Sequence, residues 1–258
     1  MKISFKKMLK ADKMPIGTFI QIPSEELVEI VAYSGFQYVI IDCEHTYMTN
    51  DKVMSLIRTA ENEGLVTFVR VPDSSEVEIK KALDMGASGI VVPSVNSAEE
   101  ARRIVKYAKF PPLGERGACP YVRANHYGID GVTEFYKEAN DGTTIYVLVE
   151  TPEGFKEIDE IIKVEGIDIV SAGIVDLSVA LGLAGQHDHP KVVKIIRDTR
   201  KLAHKYGKYC GGFVVAPEEV KKQRDEDIDF LTYGTDTLMI SAFYRNACRE
   251  IKKQLEKK

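Results

Sequence analysis

One rhythm governs this chain. Short runs rich in apolar and β-branched residues recur eight times, over 16–22, 38–43, 66–71, 89–95, 145–149, 169–173, 211–215 and 230–234. Several are apolar at every position, and a strand apolar on both sides has to be covered on both faces. Amphipathic stretches with helical spacing over 24–33, 51–63, 75–85 and 97–108 can provide that cover. The punctuation agrees. Ser97-Ala98-Glu99-Glu100 has the form of a capping box. Gly35, Gly64, Gly86, Gly166 and Gly207 each follow a helical stretch, where a left-handed residue closes a helix. Pro217 ahead of Glu218-Glu219 marks another helix start. Eight strand-helix units in 258 residues, with no Pro/Gly/Ser-rich linker, predict one α/β domain over 1–258, a (β/α)8 TIM barrel. The rival, an open doubly wound sheet, normally carries a GxGxxG turn after its first strand, and Gln21-Ile22-Pro23-Ser24 stands there instead.

Composition narrows the function classes. Lys plus Arg is 35 and Asp plus Glu is 39, for a net charge of −4, so a strongly basic, nucleic-acid-coating protein is excluded. No run of eighteen apolar residues is present, and no membrane span is expected. The first residues hold lysines but no uninterrupted apolar core, unlike a secretory signal. Cys43, Cys119, Cys210 and Cys248 form no CxxC pair and read as free thiols of a cytoplasmic protein, with Cys43 buried and inert.

In a barrel, chemistry collects where the strands end. The second run ends in Asp42-Cys43-Glu44-His45, the third in Val69-Arg70-Val71-Pro72, the fifth in Glu150-Thr151, and Asp176-Leu177-Ser178 follows the sixth. Neighbouring strands bring Glu150 and Asp176 together. Two converging carboxylates repel unless a hard divalent cation joins them; the alternatives are a helix cap by Asp176 and an ion pair by Glu150. His45 is the general-base candidate, with Asp42 or Glu44 to hold its ring, although strand alternation prevents all of these from pointing inward. Arg70 can grip a carboxylate or enolate oxygen, or form a structural ion pair. His187 and His189 read as a solvated loop. The irregular segment 110–140 reads as a long βα insertion suited to substrate contacts.

These residues carry a resemblance. Gly35-Phe36-Gln37-Tyr38-Val39-Ile40-Ile41-Asp42-Cys43-Glu44-His45 resembles the strand-two motif of the HpcH/HpaI aldolases, the metal-dependent class II pyruvate aldolases. The likeness continues through Val69-Arg70-Val71-Pro72, Ala82-Leu83-Asp84-Met85-Gly86-Ala87 and Val92-Pro93-Ser94-Val95. It extends to Phe110-Pro111-Pro112-Leu113-Gly114-Glu115-Arg116-Gly117, Val149-Glu150-Thr151, Asp176-Leu177-Ser178 and Gly234-Thr235-Asp236, in order over about residues 14 to 245.

The resemblance implies roles. Glu150 and Asp176 would hold Mg2+, Mn2+ or Co2+. Arg70 would steady the pyruvate enolate, and His45 would act as acid and base with Asp84 as its orienting partner. Leu177, Ser178 and the Arg116-Gly117 loop would contribute to the substrate pocket. The reaction implied is reversible cleavage of a 4-hydroxy-2-oxo acid to pyruvate and an aldehyde. The assembly implied is a homo-oligomer, a hexamer built as a trimer of dimers, with the last helix (237–258) on a neighbouring barrel. Departures from the family pattern are Thr46 after the histidine, Ile174-Val175 before the second acid and Leu148 two residues before the first; they make the pocket less polar. Oxaloacetate decarboxylation, or a carbon–carbon bond-forming reaction on oxaloacetate, shares the enolate and stays open, as does metabolite binding without catalysis.

Overall fold

The strands form because β-branched and aromatic residues cluster in short runs that two apolar environments can cover. In the computed structural model, which describes residues 4–11, 14–129 and 131–256, these runs become eight strands. They are β1 (Ile16–Ile20), β2 (Tyr38–Asp42), β3 (Val66–Arg70), β4 (Gly89–Val92), β5 (Thr144–Val149), β6 (Ile169–Ala172), β7 (Gly211–Val214) and β8 (Phe230–Thr235). A first helix, α1 (Phe5–Lys10), precedes them. Between the strands run α2 (Glu25–Tyr33), α3 (Asn50–Asn62), α4 (Glu76–Asp84), α5 (Ala98–Ala108), α6 (Val132–Gly142), α7 (Pro152–Lys156), α8 (Ile158–Ile162), α9 (Ile174–Ala180), α10 (Pro190–Lys205) and α11 (Val220–Asp225). The last helix is α12 (Asp236–Glu256).

All ladder pairs are parallel, in the order β6-β5-β4-β3-β2-β1-β8-β7. The remaining gap is nearly closed by a bridge between Ile169 and Tyr209, where the Val170 amide donates to the Tyr209 carbonyl at 3.0 Å. The result is the expected (β/α)8 barrel. All five glycines expected to close helices have positive φ, and Ser97 accepts from the Glu100 amide at 3.1 Å.

Strand alternation sorts the core into two shells. One shell, with Ile20, Ile41, Val69, Ile90 and Val147, lies between strands and helices. The other fills the barrel with Tyr38, Ile40, Phe68, Val91, Tyr146, Leu148 and Phe230. At the end where the strands begin, α1 inserts Phe5 edge-on against Tyr38, Phe68 and Phe230, with ring centroids 5.1, 4.9 and 5.3 Å away. Gly17 makes room for this plug, since a Cβ there would fall 2.3 Å from the Tyr38 ring.

The structure corrects two expectations. The fourth strand stops at Val92, not Val95, because Pro93 has no amide N–H to donate and Ser94 turns into the left-handed region at φ 52°. The segment 110–140 is not a βα insertion. It follows α5, which has already carried the chain back to the end where strands begin, so it is an αβ connection on the far side of its own barrel. The expected terminal helix 237–258 is α12, of which residues 257 and 258 lie outside the described ones. This helix covers little of the barrel: Asp236 is its one buried residue among those described, while Leu238, Phe243, Tyr244, Ile251 and Leu255 are exposed.

Candidate active site

Where the strands end, the interior turns polar. β2 and β3 run in register, with Asp42 opposite Arg70. Asp42 is fully buried, and its carboxylate takes the Arg70 fork with Nε to Oδ1 at 2.9 Å and Nη2 to Oδ2 at 2.7 Å. Oδ1 also accepts the amides of Glu44 at 3.1 Å and His45 at 3.4 Å, and Oδ2 accepts Gln21 Nε2 at 3.0 Å. Burial pushes the Asp42 carboxyl up, but the hydrogen bonds and charge of Arg70, with Gln21, hold it below its ordinary value. Burial likewise disfavours the Arg70 cation, and Asp42, Glu44 and Glu150 outweigh that, leaving it firmly protonated. Its guanidinium carbon lies 4.7 Å from the Phe19 ring centroid.

The other acids are less fully compensated. Glu150 follows β5, and its Oε1 accepts from the Ser94 amide at 2.7 Å and the Ser94 hydroxyl at 3.0 Å. The left-handed turn at Ser94 therefore aims an amide at this carboxylate. Burial and the charges of Asp176 and Glu44 raise the Glu150 carboxyl above the ordinary range against the pull of Ser94. Gly173 approaches closely from β6: a Cβ there would sit 2.0 Å from Glu150 Oε2. Glu44 meets Arg70 Nη1 at 3.1 Å and His45 Nε2 at 3.7 Å. Burial raises its carboxyl, Arg70 and His45 oppose this, and Asp42 and Asp176 add to the rise.

Of the residues singled out from sequence, the barrel gathers His45, Arg70, Glu150 and Asp176 at one mouth. Asp176 stands exposed in the first turn of α9. Leu177 and Ser178 are buried beside it, and the Ser178 hydroxyl donates back to the Val175 carbonyl at 2.7 Å. Asp84 lies elsewhere. It ends α4, at the side where β4 begins, and pairs with Arg116 at 2.6 Å. Within one chain, the carboxylate beside His45 is Glu44. Arg116 is buried in that ion pair and under the Phe110 ring. The Cys43 thiol is half-buried, not fully buried as expected, and burial pushes it up to about 12, with Asp42 adding to the rise, which fits the inert thiol expected. His189 caps α10, its Nδ1 accepting from the Lys191 amide at 3.2 Å.

Asp42 as the partner of Arg70, Glu44 as a second contact, Ser94 and Gln21 were missed in these roles from sequence. A signal existed for the first: Asp42 and Arg70 each close an apolar run of matched length, as adjacent in-register strands require. Among the described residues, no three His, Cys, Asp or Glu side chains converge closely enough to hold an ion by themselves. Glu150 and Asp176 could therefore supply part of a coordination shell and leave the rest to water or ligand, as hard cations accept.

A barrel that seals one end with aromatic rings and gathers unbalanced acids at the other has the build of an enzyme. The chain matches the model of the HpcH/HpaI aldolase/citrate lyase family over residues 15–242. It is 32% identical to the 2-keto-3-deoxy-L-rhamnonate aldolase of Escherichia coli (strain K12) over 238 residues, 92% of this chain and 88% of that one. Among solved structures it resembles an HpcH/HpaI aldolase from Desulfitobacterium hafniense DCB-2 (32% identity, TM-score 0.91, 97% of each chain). It also resembles the citrate synthase SbnG (28% identity, TM-score 0.90, 98% of this chain and 99% of the other). The chain belongs to the HpcH/HpaI aldolase/citrate lyase family, and with it to the carbon–carbon lyases of aldolase type.

Proposed function

We propose that this enzyme reversibly cleaves a 4-hydroxy-2-oxo acid to pyruvate and an aldehyde, with a divalent cation held by Glu150 and Asp176. The observation that carries the cation is the Glu150 carboxylate: it is buried, pressed by Asp176 and Glu44, and held by the Ser94 donors, with no basic side chain bonded to it among the described residues. Such a donor set fits Mg2+, Mn2+ or Co2+, all of which accept oxygen ligands. A cation there supplies Lewis-acid polarisation of the substrate's 2-oxo group.

The chain's own residues supply the rest. Asp42 holds the Arg70 guanidinium in a fixed plane, and the N–H groups not engaged by Asp42 or Glu44 steady the negative oxygen of the enolate. His45, with its side chain 58% exposed, can reach an incoming substrate. It takes the proton from the 4-hydroxyl as the C3–C4 bond breaks, and the proton then returned to C3 of the enolate makes the pyruvate methyl. Leu177 and Ser178 shape the pocket by anchoring the turn that presents Asp176. A role for Asp84 beside His45 requires a second copy of the chain, because its own barrel holds it at the opposite end. The exposed apolar residues of α12 support the same inference of a homo-oligomer, a hexamer in the family-like arrangement. We place the enzyme in the cytoplasm as a single-domain protein. The similarity to a citrate synthase favours one second reading, action on oxaloacetate: its decarboxylation to the pyruvate enolate, or carbon–carbon bond formation from an enolate.

Release of pyruvate, followed by lactate dehydrogenase coupling, separates these. Protein stripped with EDTA and resupplied with Mg2+ or Mn2+ is expected to release pyruvate from a panel of 4-hydroxy-2-oxo acids faster than from oxaloacetate. Faster release from oxaloacetate would support the second reading. No release from any substrate by folded, metal-loaded protein would contradict both.

A further inference from the structure

Gln21 stands just past β1 and has a role nothing above assigns. Its carboxamide works in two directions. Nε2 donates to Asp42 Oδ2 at 3.0 Å, and Oε1 accepts from Thr237 Oγ1 at 2.5 Å. A carboxylate can only accept, so the nitrogen must face Asp42 and the oxygen is left for Thr237. The backbone amide of Gln21 donates to both oxygens of Asp236 at 3.0 Å, and the Ile22 amide donates to Asp236 Oδ2 at 2.9 Å. Asp236 and Thr237 open α12, the helix that leaves the barrel otherwise unburied. At the other end of the relay, Asp42 Oδ2 is the oxygen that receives Arg70 Nη2 at 2.7 Å.

An unbroken line of hydrogen bonds thus runs from the projecting helix to the arginine of the site: Thr237, Gln21, Asp42, Arg70. The carboxylate plane of Asp42 sets the plane of the guanidinium, because the fork is bidentate. Gln21 is the one side chain besides Arg70 that bonds Oδ2 among the described residues; without it that oxygen is fixed from one side alone. Supporting groups of this kind hold reacting groups in productive geometry, and a small misplacement costs rate.

We propose that Gln21 is a positioning residue that fixes the Asp42–Arg70 fork and ties it to the first turn of α12. The proposal rests on the reading of Arg70 as the cation that faces the enolate. It makes the site responsive to where α12 is docked.

Deuterium exchange into the pyruvate methyl, read by proton NMR with Mn2+ present, tests it. Gln21→Leu is expected to lower the limiting exchange rate about tenfold, the size of one hydrogen bond to a charged group. Its Mn2+ affinity should be unchanged. Gln21→Glu is expected to be slow at neutral pH and to recover as pH falls, because a protonated carboxyl can again donate to Asp42; the wild-type enzyme should show no such recovery. Thr237→Val should cost about two- to threefold, since it frees one side of the relay. A Gln21→Leu rate equal to wild type, in a protein where Arg70→Ala is inactive, would overturn the positioning role alone. A pH-independent deficit in Gln21→Glu would overturn it too, by reducing Gln21 to a packing residue. An Arg70→Ala rate equal to wild type would instead overturn the reading of the arginine.

Discussion

The two ends of this barrel solve opposite problems. Where the strands begin, Phe5, Tyr38, Phe68 and Phe230 pack edge to face, and the Tyr38 hydroxyl is satisfied by the Leu231 carbonyl at 2.8 Å and Thr232 Oγ1 at 2.7 Å. At that side Arg116 is neutralised by Asp84 at 2.6 Å. Where the strands end, Asp42, Glu44 and Glu150 act on Arg70, Asp176 stands exposed in the first turn of α9, and the Glu44 and Glu150 carboxyls are raised above their ordinary range. Burying unbalanced charge costs stability. A fold can retain it at one end because the other end carries the packing, and the unbalanced end is where chemistry is to be sought.

Substitutions at the two ends should separate stability from activity. The largest effect expected is from Arg70→Ala, which should lower pyruvate enolisation on the order of 10³-fold, as loss of a preorganised charge does. It should also destabilise, because Asp42 is left buried and unpaired. Adding Asp42→Asn should recover melting temperature without recovering exchange; recovery of both would break the separation. At the other end, Phe5→Ala should cost about 3–5 kcal/mol in denaturant unfolding, the usual price of a large core aromatic, with kcat little changed below its melting transition.

The smallest effect sharpens the comparison through pH. The Glu150 carboxyl is raised in the folded protein, so the folded state keeps its proton to higher pH than the unfolded chain does. The stability this contributes is present below the ordinary carboxylate value and lost as pH rises through the folded value. Denaturant titrations of EDTA-stripped protein from about pH 4 to 7 should show that decline, and it should be weaker in Glu150→Gln. Mg2+ should restore stability to the wild type at pH 7 and not to the variant.

Much of this was legible in the sequence, for identifiable reasons. The strands announced themselves because parallel barrel strands are apolar on both faces, and His45, Arg70, Glu150 and Asp176 stood at their ends. The Asp42–Arg70 fork was harder to read, because Asp42 competes with Glu44 for the role of partner to His45 and only strand register decides. The side on which 110–140 lies was misread because α5 was not counted as the return leg of its unit. Asp84 could not be placed by motif alone: a helix end near in sequence to the third strand lies a barrel length from that strand's chemistry. The relay through Gln21 joins residues 216 positions apart and leaves no local pattern.

The central claim is that the acid-rich mouth forms an enolate of pyruvate with a divalent cation. Deuterium exchange into the pyruvate methyl by the wild-type enzyme measures this without an aldehyde. The account predicts exchange with Mg2+ or Mn2+, none after EDTA, and none in Glu150→Ala with either metal. Folded protein that binds metal and pyruvate yet exchanges no deuterium, or that exchanges equally well after EDTA, would contradict it.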